Sequence, residues 1–288
     1  MFDEYKAKAY AKVNFNLKVL PKRADGFHSI ESIFQTVSLY DELSVLKTEK
    51  NGCKINCEAV SLPENNTLTS SYKAFTEVTG LAPGIEVNLK KGIPACGGLG
   101  GGSSDAAALI RILEKITGIK LSVQQRNSVA AKVGSDVFFF MHCDDEGRGC
   151  ALVSGRGEKI KKIDSRKDLF LLLLFPEVSS STKEAYALID EAYSGEIKLQ
   201  YPSFDNLEKV YRNTPKEWNF TNTFTPVLCK RYDVVWTALS DLKKSSAEYT
   251  EVSGSGSTVF GVFTDKQKAL SCCSLLSETW KCELVQTI

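Results

Sequence analysis

Six residues, Gly97-Gly98-Leu99-Gly100-Gly101-Gly102, constrain this chain more than any other stretch: five of them are glycine, and Ser103-Ser104-Asp105 follow. Glycine enters φ > 0 without steric cost and lets the backbone come close to another object. Behind the run, Ala106 to Lys115 has helical character, and Leu109, Leu113 and Ile116 give it an apolar stripe that Gly118 can end. A helix N-terminus presents unpaired N–H groups and the positive end of its dipole. A glycine turn in front of such a helix describes an anion cradle, suited above all to nucleotide phosphates. Gly/Ser tracts also serve as flexible linkers. This run, however, is short and stands between a strand-like segment and a helix.

Two common phosphate templates fail. Gly97 and Gly102 have the spacing of a P-loop, but Ser103 stands where the lysine belongs. Gly98, Gly100 and Ser103 miss the last glycine of the dinucleotide fingerprint. The cradle therefore has no lysine of its own.

At 288 residues the chain suits two domains or one large one. Lysine plus arginine (36) nearly balances aspartate plus glutamate (35), so no global field points to nucleic acid or an acidic membrane. Nine cysteines are scattered without a paired framework, and Cys53 and Cys57 lack a second ligand pair at zinc spacing. Reduced thiols in a cytoplasmic protein are the expectation. The opening Met-Phe-Asp-Glu-Tyr-Lys carries acids and no apolar core, so no signal peptide is expected. The longest apolar run, Leu169 to Phe175, is too short for a membrane span and reads as a buried strand.

Along the chain, Ala9, Ala11, Val13, Phe15, Leu17 and Val19 alternate with Tyr10, Lys12, Asn14, Asn16 and Lys18. Period two predicts a strand with one buried face. It puts Lys12 and Asn14 side by side on the other face, roughly 7 Å apart, where the pattern alone fits a solvated surface. Arg23-Ala24-Asp25-Gly26-Phe27-His28 is an Asp-Gly turn with an aromatic residue and a histidine at its exit. Strands are expected over Ile33 to Leu39, Leu43 to Lys47, Cys53 to Val60 and Ile85 to Leu89, with a helix over Thr69 to Val78 after Asn65-Asn66. The cradle helix should start at Ser103 to Asp105, all good N-cap types. Ser122 and Gln125 have the spacing of a capping box for a helix that Gly134 ends. Asp136, leading into Val137 and Phe138-Phe139-Phe140-Met141, fits an N-cap or a placed carboxylate.

Cys150 to Ser154 and Glu158 to Ile163 suggest a hairpin around Gly155-Arg156-Gly157, and Lys159, Lys161, Lys162, Arg166 and Lys167 read as a solvated edge. After strand 169–175, Ser179-Ser180-Ser181-Thr182 could cap a helix over Lys183 to Tyr193. Gly195 to Thr225 is loop-like, and Pro226 to Leu242 reads as one helix. A second glycine loop, Ser253-Gly254-Ser255-Gly256-Ser257, opens the strand Thr258 to Phe263. A helix over Asp265 to Leu276 and a strand over Trp280 to Val285 complete an α+β sandwich of ferredoxin-like type. The domain boundary is expected near Lys161 to Asp168.

With these pieces in order, the chain resembles the GHMP kinases (galactokinase, homoserine, mevalonate and phosphomevalonate kinases). The resemblance rests on Ala11-Lys12-Val13-Asn14, on Ile93-Pro94 through Asp105, on Gly134-Ser135-Asp136-Val137 and on the Gly254/Gly256 loop. Arg23 to His28 narrows it to the branch that acts on a cytidine-diphosphate-linked methylerythritol. The resemblance implies an N-terminal domain of ribosomal-protein-S5-domain-2-like fold over 1–163, which binds ATP and carries catalysis. It implies a ferredoxin-like C-terminal domain over 164–288 on the substrate side.

It further implies ATP as phosphoryl donor with Mg²⁺ nearby, and an activity on the 2-hydroxyl of the cytidyl substrate in a non-mevalonate isoprenoid route. Asp136 would accept or orient the hydroxyl proton. Lys12, beside it, would keep it ionised and stabilise the transferring phosphoryl group. Asn65, Asn66, Lys91, Pro94 and Gly97, Gly98, Leu99, Gly100, Gly101, Gly102, Ser103 and Ser104 would surround the nucleotide. Asn14 and Thr182 would hold the substrate, His28 would read the cytosine edge, and Phe27 and Tyr186 would sandwich the ring. No protein ligand to a metal is assigned, and neither nucleic acid nor membrane is an expected partner. A monomer or weak homodimer is the expected state. The family usually has tyrosine at Phe27, and proline is common at Phe138. A different GHMP kinase, of homoserine or mevalonate type, and an inert nucleotide-binding relative are the alternatives.

Overall fold

A computed structural model of the chain describes residues 3–58, 62–178, 181–193 and 199–288. In chain order it runs β1 (Glu4–Lys22), β2 (His28–Lys47), β3 (Gly52–Cys57), α1 (Thr67–Thr79), β4 (Gly84–Lys90), α2 (Gly101–Thr117), α3 (Val123–Val133) and α4 (Ser135–His142). Then follow β5 (Cys150–Gly155), β6 (Lys159–Ile163), β7 (Phe170–Leu174), α5 (Thr182–Tyr193), α6 (Leu207–Arg212), α7 (Phe224–Arg231) and α8 (Asp233–Lys244). The strands β8 (Tyr249–Val252) and β9 (Val259–Phe263), helix α9 (Lys266–Leu276) and strand β10 (Cys282–Gln286) end it.

Two compact units emerge, and neither is a continuous stretch. One holds Met1–Ala11, Leu39–Pro94 and Gly100–Gly149, the other Lys12–Ser38, Ala95–Leu99 and Cys150–Ile288. This cut differs from one at residue 163, because β1 and β2 each contribute residues to both units.

In the first unit the C-terminal half of β2 pairs antiparallel with β4, from Glu42↔Lys90 to Lys47↔Ile85. Strand β4 pairs in parallel with β3, from Gly52↔Gly84 to Cys57↔Leu89. Helix α1 packs on α2 and α3, and α4 on both of those. Val45, Leu68, Phe75, Val87, Leu109, Leu113 and Phe140 fill the core between them. Local chemistry sets the helix ends. Asn66 and Thr69 form a capping box for α1, as Ser122 and Gln125 do for α3. Gly118 ends α2 in the left-handed conformation.

The second unit pairs the N-terminal half of β2 with β5, Ile30↔Gly155 to Gln35↔Cys150, and β5 with β6. A separate four-stranded antiparallel sheet has the order β10-β7-β9-β8. Numbered along the chain that order is 4-1-3-2, and with a helical crossover before β8 and α9 before β10 it gives the ferredoxin-like arrangement. An aromatic cluster of Phe15, Tyr211, Trp218, Tyr249 and Phe260 packs here with ring centroids about 5 to 6 Å apart.

Several expectations need correction. Lys12 and Asn14 are 3% and 1% exposed, so their face of β1 is buried, not solvated. Helix α2 starts at Gly101 behind a left-handed Gly100, two residues ahead of the serines, and has no side-chain cap. Asp136 is not the N-cap of α4: Gly134 is, and Asp136 stands in the first turn. The helix foreseen over 226–242 is two, broken at Tyr232, whose backbone is extended. Within the segment read as loop, α6 and two short 3-10 turns, Phe204–Asn206 and Pro215–Glu217, order the chain. Strand β8 adds an element that the sequence pattern does not mark: its four residues run directly into the second glycine loop. Of the basic edge, Lys159, Lys161, Lys162 and Lys167 are exposed. Arg166 is not: it bonds the carbonyls of Tyr211 and Asn213 and pairs with Asp168. Residues 59–60 of the third expected strand, and Ser179 and Ser180 of the expected helix cap, lie outside the described residues. Among the described residues, no helix is long and apolar enough to cross a membrane.

Candidate active site

Lys12 is fixed at both ends. Its backbone N–H donates to Leu99 O at 2.9 Å, and its Nζ donates to Asn14 Oδ1 at 2.6 Å and to Gly98 O at 3.0 Å. The ammonium also lies 4.8 Å from the centroid of the Phe34 ring. Asn14 in turn donates to Ser32 Oγ at 3.1 Å, and Ser32 Oγ donates to Asn16 O. The alternation of β1 thus delivers a lysine and an asparagine that touch, as strand spacing requires.

Two glycine loops close on this lysine. Gly98 has φ +72°, and a Cβ there would stand 2.0 Å from Ser253 O. Gly254 has φ +57°, and a Cβ there would stand 2.8 Å from Gly98 O and 3.2 Å from Lys12 Nζ. Ser253 Oγ donates to Gly98 O at 3.1 Å, and Thr258 N–H reaches Gly97 O at 3.3 Å. Neither loop has room for a side chain at these points.

Asn222 and Glu251, which the sequence did not single out, hold the second loop from below. Asn222 Nδ2 donates to Val252 O and Gly254 O, both at 2.8 Å. Glu251 accepts from Asn222 N–H at 3.2 Å and from Thr225 Oγ1. Burial pushes the Glu251 carboxyl up to about 7, although Thr225 and the N–H groups of Val252 and Asn222 pull the other way. The one available signal was Asn222 two residues before a helix, where its Oδ1 accepts from Phe224 N–H at 3.0 Å.

Elsewhere in the same unit, the turn after β1 and helix α5 build a second cluster. His28, 8% exposed, has Nδ1 2.8 Å from Leu20 O, so that nitrogen carries the proton. Its Nε2 lies 3.0 Å from Asp190 Oδ1 in poor hydrogen-bond alignment. Lys22 Nζ pairs with the other Asp190 oxygen at 2.8 Å. That hydrogen bond, above all, holds Asp190 below the usual carboxylate range against the effect of burial. The His28 and Tyr186 rings stack with centroids 5.2 Å apart. Phe27 is half exposed, and its ring carries the Arg156 guanidinium with Cζ 3.6 Å from the centroid. The structure therefore places Tyr186 against His28 and Phe27 against Arg156, with neither aromatic ring on the other. Thr182 Oγ1 meets Ser255 Oγ at 3.3 Å, on the second glycine loop.

The remaining expected residues belong to the first unit. Lys91 Nζ pairs with Asp41 Oδ2 and, at 3.1 Å, with Asp105 Oδ2. Asp41 also accepts from the N–H groups of Gly92 and Ile93 at 2.6 and 2.8 Å. Burial opposes the charge on Lys91, but Asp105 and Asp41 outweigh it and raise its pKa. Asp105 is pushed up to about 7, by burial first, with Lys91 opposing and Asp41 reinforcing. The triad lies under the start of α2: a Cβ on Gly101 would stand 3.4 Å from Lys91 Nζ, and one on Gly102 would stand 3.1 Å from Thr67 Oγ1. Its N-cap, Gly100, has no side chain to accept from the first N–H groups of α2.

Asn66 Oδ1 accepts from Leu68 and Thr69 N–H at 2.9 and 3.0 Å. Asn66 also lines a cavity of about 500 Å³ with Cys53, Asn56, Cys57 and Thr69. Asn65 is exposed just before it, Pro94 is half-buried before the glycine run, and Ser103 and Ser104 stand in the first turn of α2, Ser104 buried. Asp136 is half-buried in the first turn of α4, where a carboxylate is favoured by the helix dipole.

Within the second unit, an ammonium pinned beside two loops that exclude a Cβ at Gly98 and Gly254 can bind a polyphosphate. Comparison with known proteins agrees. Residues 66–144 match the GHMP kinases N terminal domain. The chain is 37% identical to the 4-diphosphocytidyl-2-C-methyl-D-erythritol kinase of Treponema pallidum (strain Nichols), over 95% of this chain and 94% of that one. It is 34% identical to the protein of that name from Thermodesulfovibrio yellowstonii, over 98% and 97%. Among solved structures, a 4-(cytidine 5'-diphospho)-2C-methyl-D-erythritol kinase superposes with a TM-score of 0.82 at 24% identity, covering 98% of this chain and 99% of that one. The homoserine kinase of Cytophaga hutchinsonii follows with a TM-score of 0.68 at 19% identity, over 99% and 95%. The two superpositions identify the fold.

Proposed function

The chain belongs to the 4-diphosphocytidyl-2-C-methyl-D-erythritol kinase family of GHMP kinases, and from that membership we propose the reaction it performs. It transfers the γ-phosphoryl group of ATP to the 2-hydroxyl of 4-diphosphocytidyl-2-C-methyl-D-erythritol, in the non-mevalonate route to isoprenoid precursors. The observation that carries this reading is the Lys12 ammonium held at Gly98 O between two loops that admit no Cβ. Phosphoryl transfer asks a protein mainly for position and charge, and this lysine supplies both.

In this proposal Lys12 stabilises charge on the transferring phosphoryl group and Asp136 takes or orients the proton of the 2-hydroxyl. Gly97 to Ser104 cradle the ATP phosphates, with Asn65, Asn66, Lys91 and Pro94 beside the nucleotide. Mg²⁺ would arrive with ATP. When bound, it would neutralise charge on the phosphates. Cytosine would enter between Phe27 and Tyr186, displacing the ligand-free partners of those rings, with His28 on its edge and Asn14 and Thr182 on the rest of the substrate. Residues 1–163 would carry the ATP site and catalysis together with Asn14, Phe27 and His28, and 164–288 the rest of the substrate side. The enzyme acts as a cytoplasmic monomer or weak homodimer.

The test is an ATP-dependent assay on the cytidyl substrate, with Lys12→Ala and Asp136→Asn expected to lose at least about a hundredfold in kcat. Wild-type rates in both would sink the mechanism. Activity on homoserine or mevalonate that ignores His28→Ala would sink the choice of substrate.

A further inference from the structure

The segment between α9 and β10 is a tight turn bracketed by two cysteines. Cys273 lies in the last turn of α9, and Cys282 is the first residue of β10. Between them, Ser277 N–H donates to Cys273 O at 2.9 Å, and the N–H groups of Thr279 and Trp280 both reach Leu276 O, at 3.1 and 2.8 Å. The Trp280 indole N–H donates to Asp241 Oδ2 at 3.1 Å on helix α8. On the strand side, Phe175 N–H donates to Lys281 O at 2.9 Å, and Cys282 is in register with Leu174 of β7. The turn is anchored at both ends and in its middle. It leaves the two sulphurs 3.9 Å apart and both side chains half-buried, within reach of small solutes.

We infer that Cys273 and Cys282 form a dithiol modification site that closes to an intramolecular disulfide when it meets a low-molecular-weight disulfide of the glutathione type. A disulfide needs its sulphurs at about 2.05 Å and its Cβ atoms at about 3.8 Å. From 3.9 Å the sulphurs have about 2 Å to close, the distance that rotation about the two Cα–Cβ bonds has to supply. The closed loop is short and already folded, so the bond asks nothing of the turn that its hydrogen bonds have not arranged. Cys272 is excluded by helix geometry: consecutive residues point about 100° apart, and Cys272 is turned inward and buried.

The exchange balances without any other reactant. The Cys273 thiolate attacks one sulphur of the small disulfide, whose S–S bond breaks and releases one small thiolate. Cys282 then gives its proton to solvent, attacks Cys273 Sγ, and expels the second small thiolate. The two electrons lost by the protein thiols end on the small disulfide, now two thiols. The order of attack follows from the surroundings. Burial, and then the neighbouring Cys273, push the Cys282 thiol up to about 12, so it is the poorer opening nucleophile. Once Cys273 is held as a mixed disulfide, its charge no longer opposes ionisation of Cys282.

The experiment is peptide mapping of the purified, reduced full-length chain after incubation with oxidised glutathione. The expected result is a linked peptide pair joining Cys273 to Cys282, reversed by dithiothreitol, with a higher thermal midpoint for the oxidised form. Cys272→Ser should still form the linked pair. Cys273→Ser and Cys282→Ser should each lose it, together with the rise in midpoint, and keep a single glutathione adduct on the remaining partner. Stable adducts on both cysteines of the unaltered chain, or a link through Cys272, would overturn the inference.

Discussion

Arg156 rests on Phe27: the guanidinium carbon lies 3.6 Å from the ring centroid, at the exit of the Asp25-Gly26 turn. Both ends of this contact are held by backbone. Phe27 N–H donates to Asp25 Oδ1 at 3.1 Å, and Arg156 N–H donates to Glu158 Oε2 at 2.5 Å. Where the family usually has tyrosine, the chain keeps an aromatic face and covers it with a cation. At an exposed site such a contact contributes about 0.5–1 kcal/mol.

If Phe27 is the platform for the base, Arg156→Ala should raise KM for the cytidyl substrate about threefold to tenfold and leave KM for ATP unchanged. The effect should vanish in a Phe27→Ala background, because the arginine acts through the ring. Steady-state kinetics on the two single variants and the double variant decide this. An equal loss in the Phe27→Ala background would mean that Arg156 acts independently of the ring.

Gly254→Ala tests the glycine loops. At φ +57° the added methyl would stand 2.8 Å from Gly98 O and 3.2 Å from Lys12 Nζ. The left-handed conformation itself costs a non-glycine residue about 1–2 kcal/mol. Activity should fall at least about tenfold while circular dichroism shows an intact fold. Full activity would mean that the loop can yield without consequence for Lys12.

Lys91→Met should be destabilising, not merely slower. It would leave Asp41 and Asp105, both almost fully buried, without their cation. Breaking one side of a buried ion pair costs about 3–5 kcal/mol. Urea denaturation measures it, and the deficit should shrink as pH falls below about 7 and Asp105, whose carboxyl burial pushes up to about 7, takes up a proton. An unchanged midpoint at pH 7 would refute the structural role.

Glu251 supplies a pH dependence whose sign is fixed by its raised pKa. In the unfolded chain it titrates near 4.3, and in the fold at about 7. Between those values the folded state binds more protons, so its contribution to stability is full below about 4.3 and is lost as pH rises to about 7. The ceiling is on the order of 4 kcal/mol. Glu251→Gln should remove this component. The difference in urea midpoint between pH 5 and pH 8 should be smaller in the variant than in the wild type, and an equal difference would refute the assignment. Asp105, shifted the same way, remains in both proteins and cancels from the comparison.

What the sequence disclosed follows the range of the interactions involved. The capping box at Ser122, the left-handed Gly118 and the alternation of β1 are decided within a few residues, and each could be read directly, whereas Asn66 was read only as preceding a helix and its box with Thr69 came from the structure. The burial of Lys12 and Asn14 could not, because their partners include Gly98 O and Ser32 Oγ, far along the chain. The Asp41–Lys91–Asp105 triad spans three segments, and Asn222 with Glu251 joins a helix start to a strand end. Arg156 looked like an ordinary turn residue because nothing local shows that Phe27 lies opposite. Tyr232 breaks a helix without glycine or proline, so composition gave no warning.

The interleaving of the two compact units has a consequence for how the chain is made. Everything the first unit needs has been synthesised once Gly149 is in place, whereas Lys12–Ser38, though made before most of that unit, belongs to one that needs residues up to Ile288. Gln35 Nε2 donates to Ile288 O at 2.8 Å across 253 positions of chain. On a ribosome adding roughly 5–20 residues per second, that early segment waits on the order of ten seconds for its partners. Throughout that interval Lys12 sits in unfinished structure, and the contacts of Gly98 with Ser253 and Gly254 form only after the second glycine loop has been made.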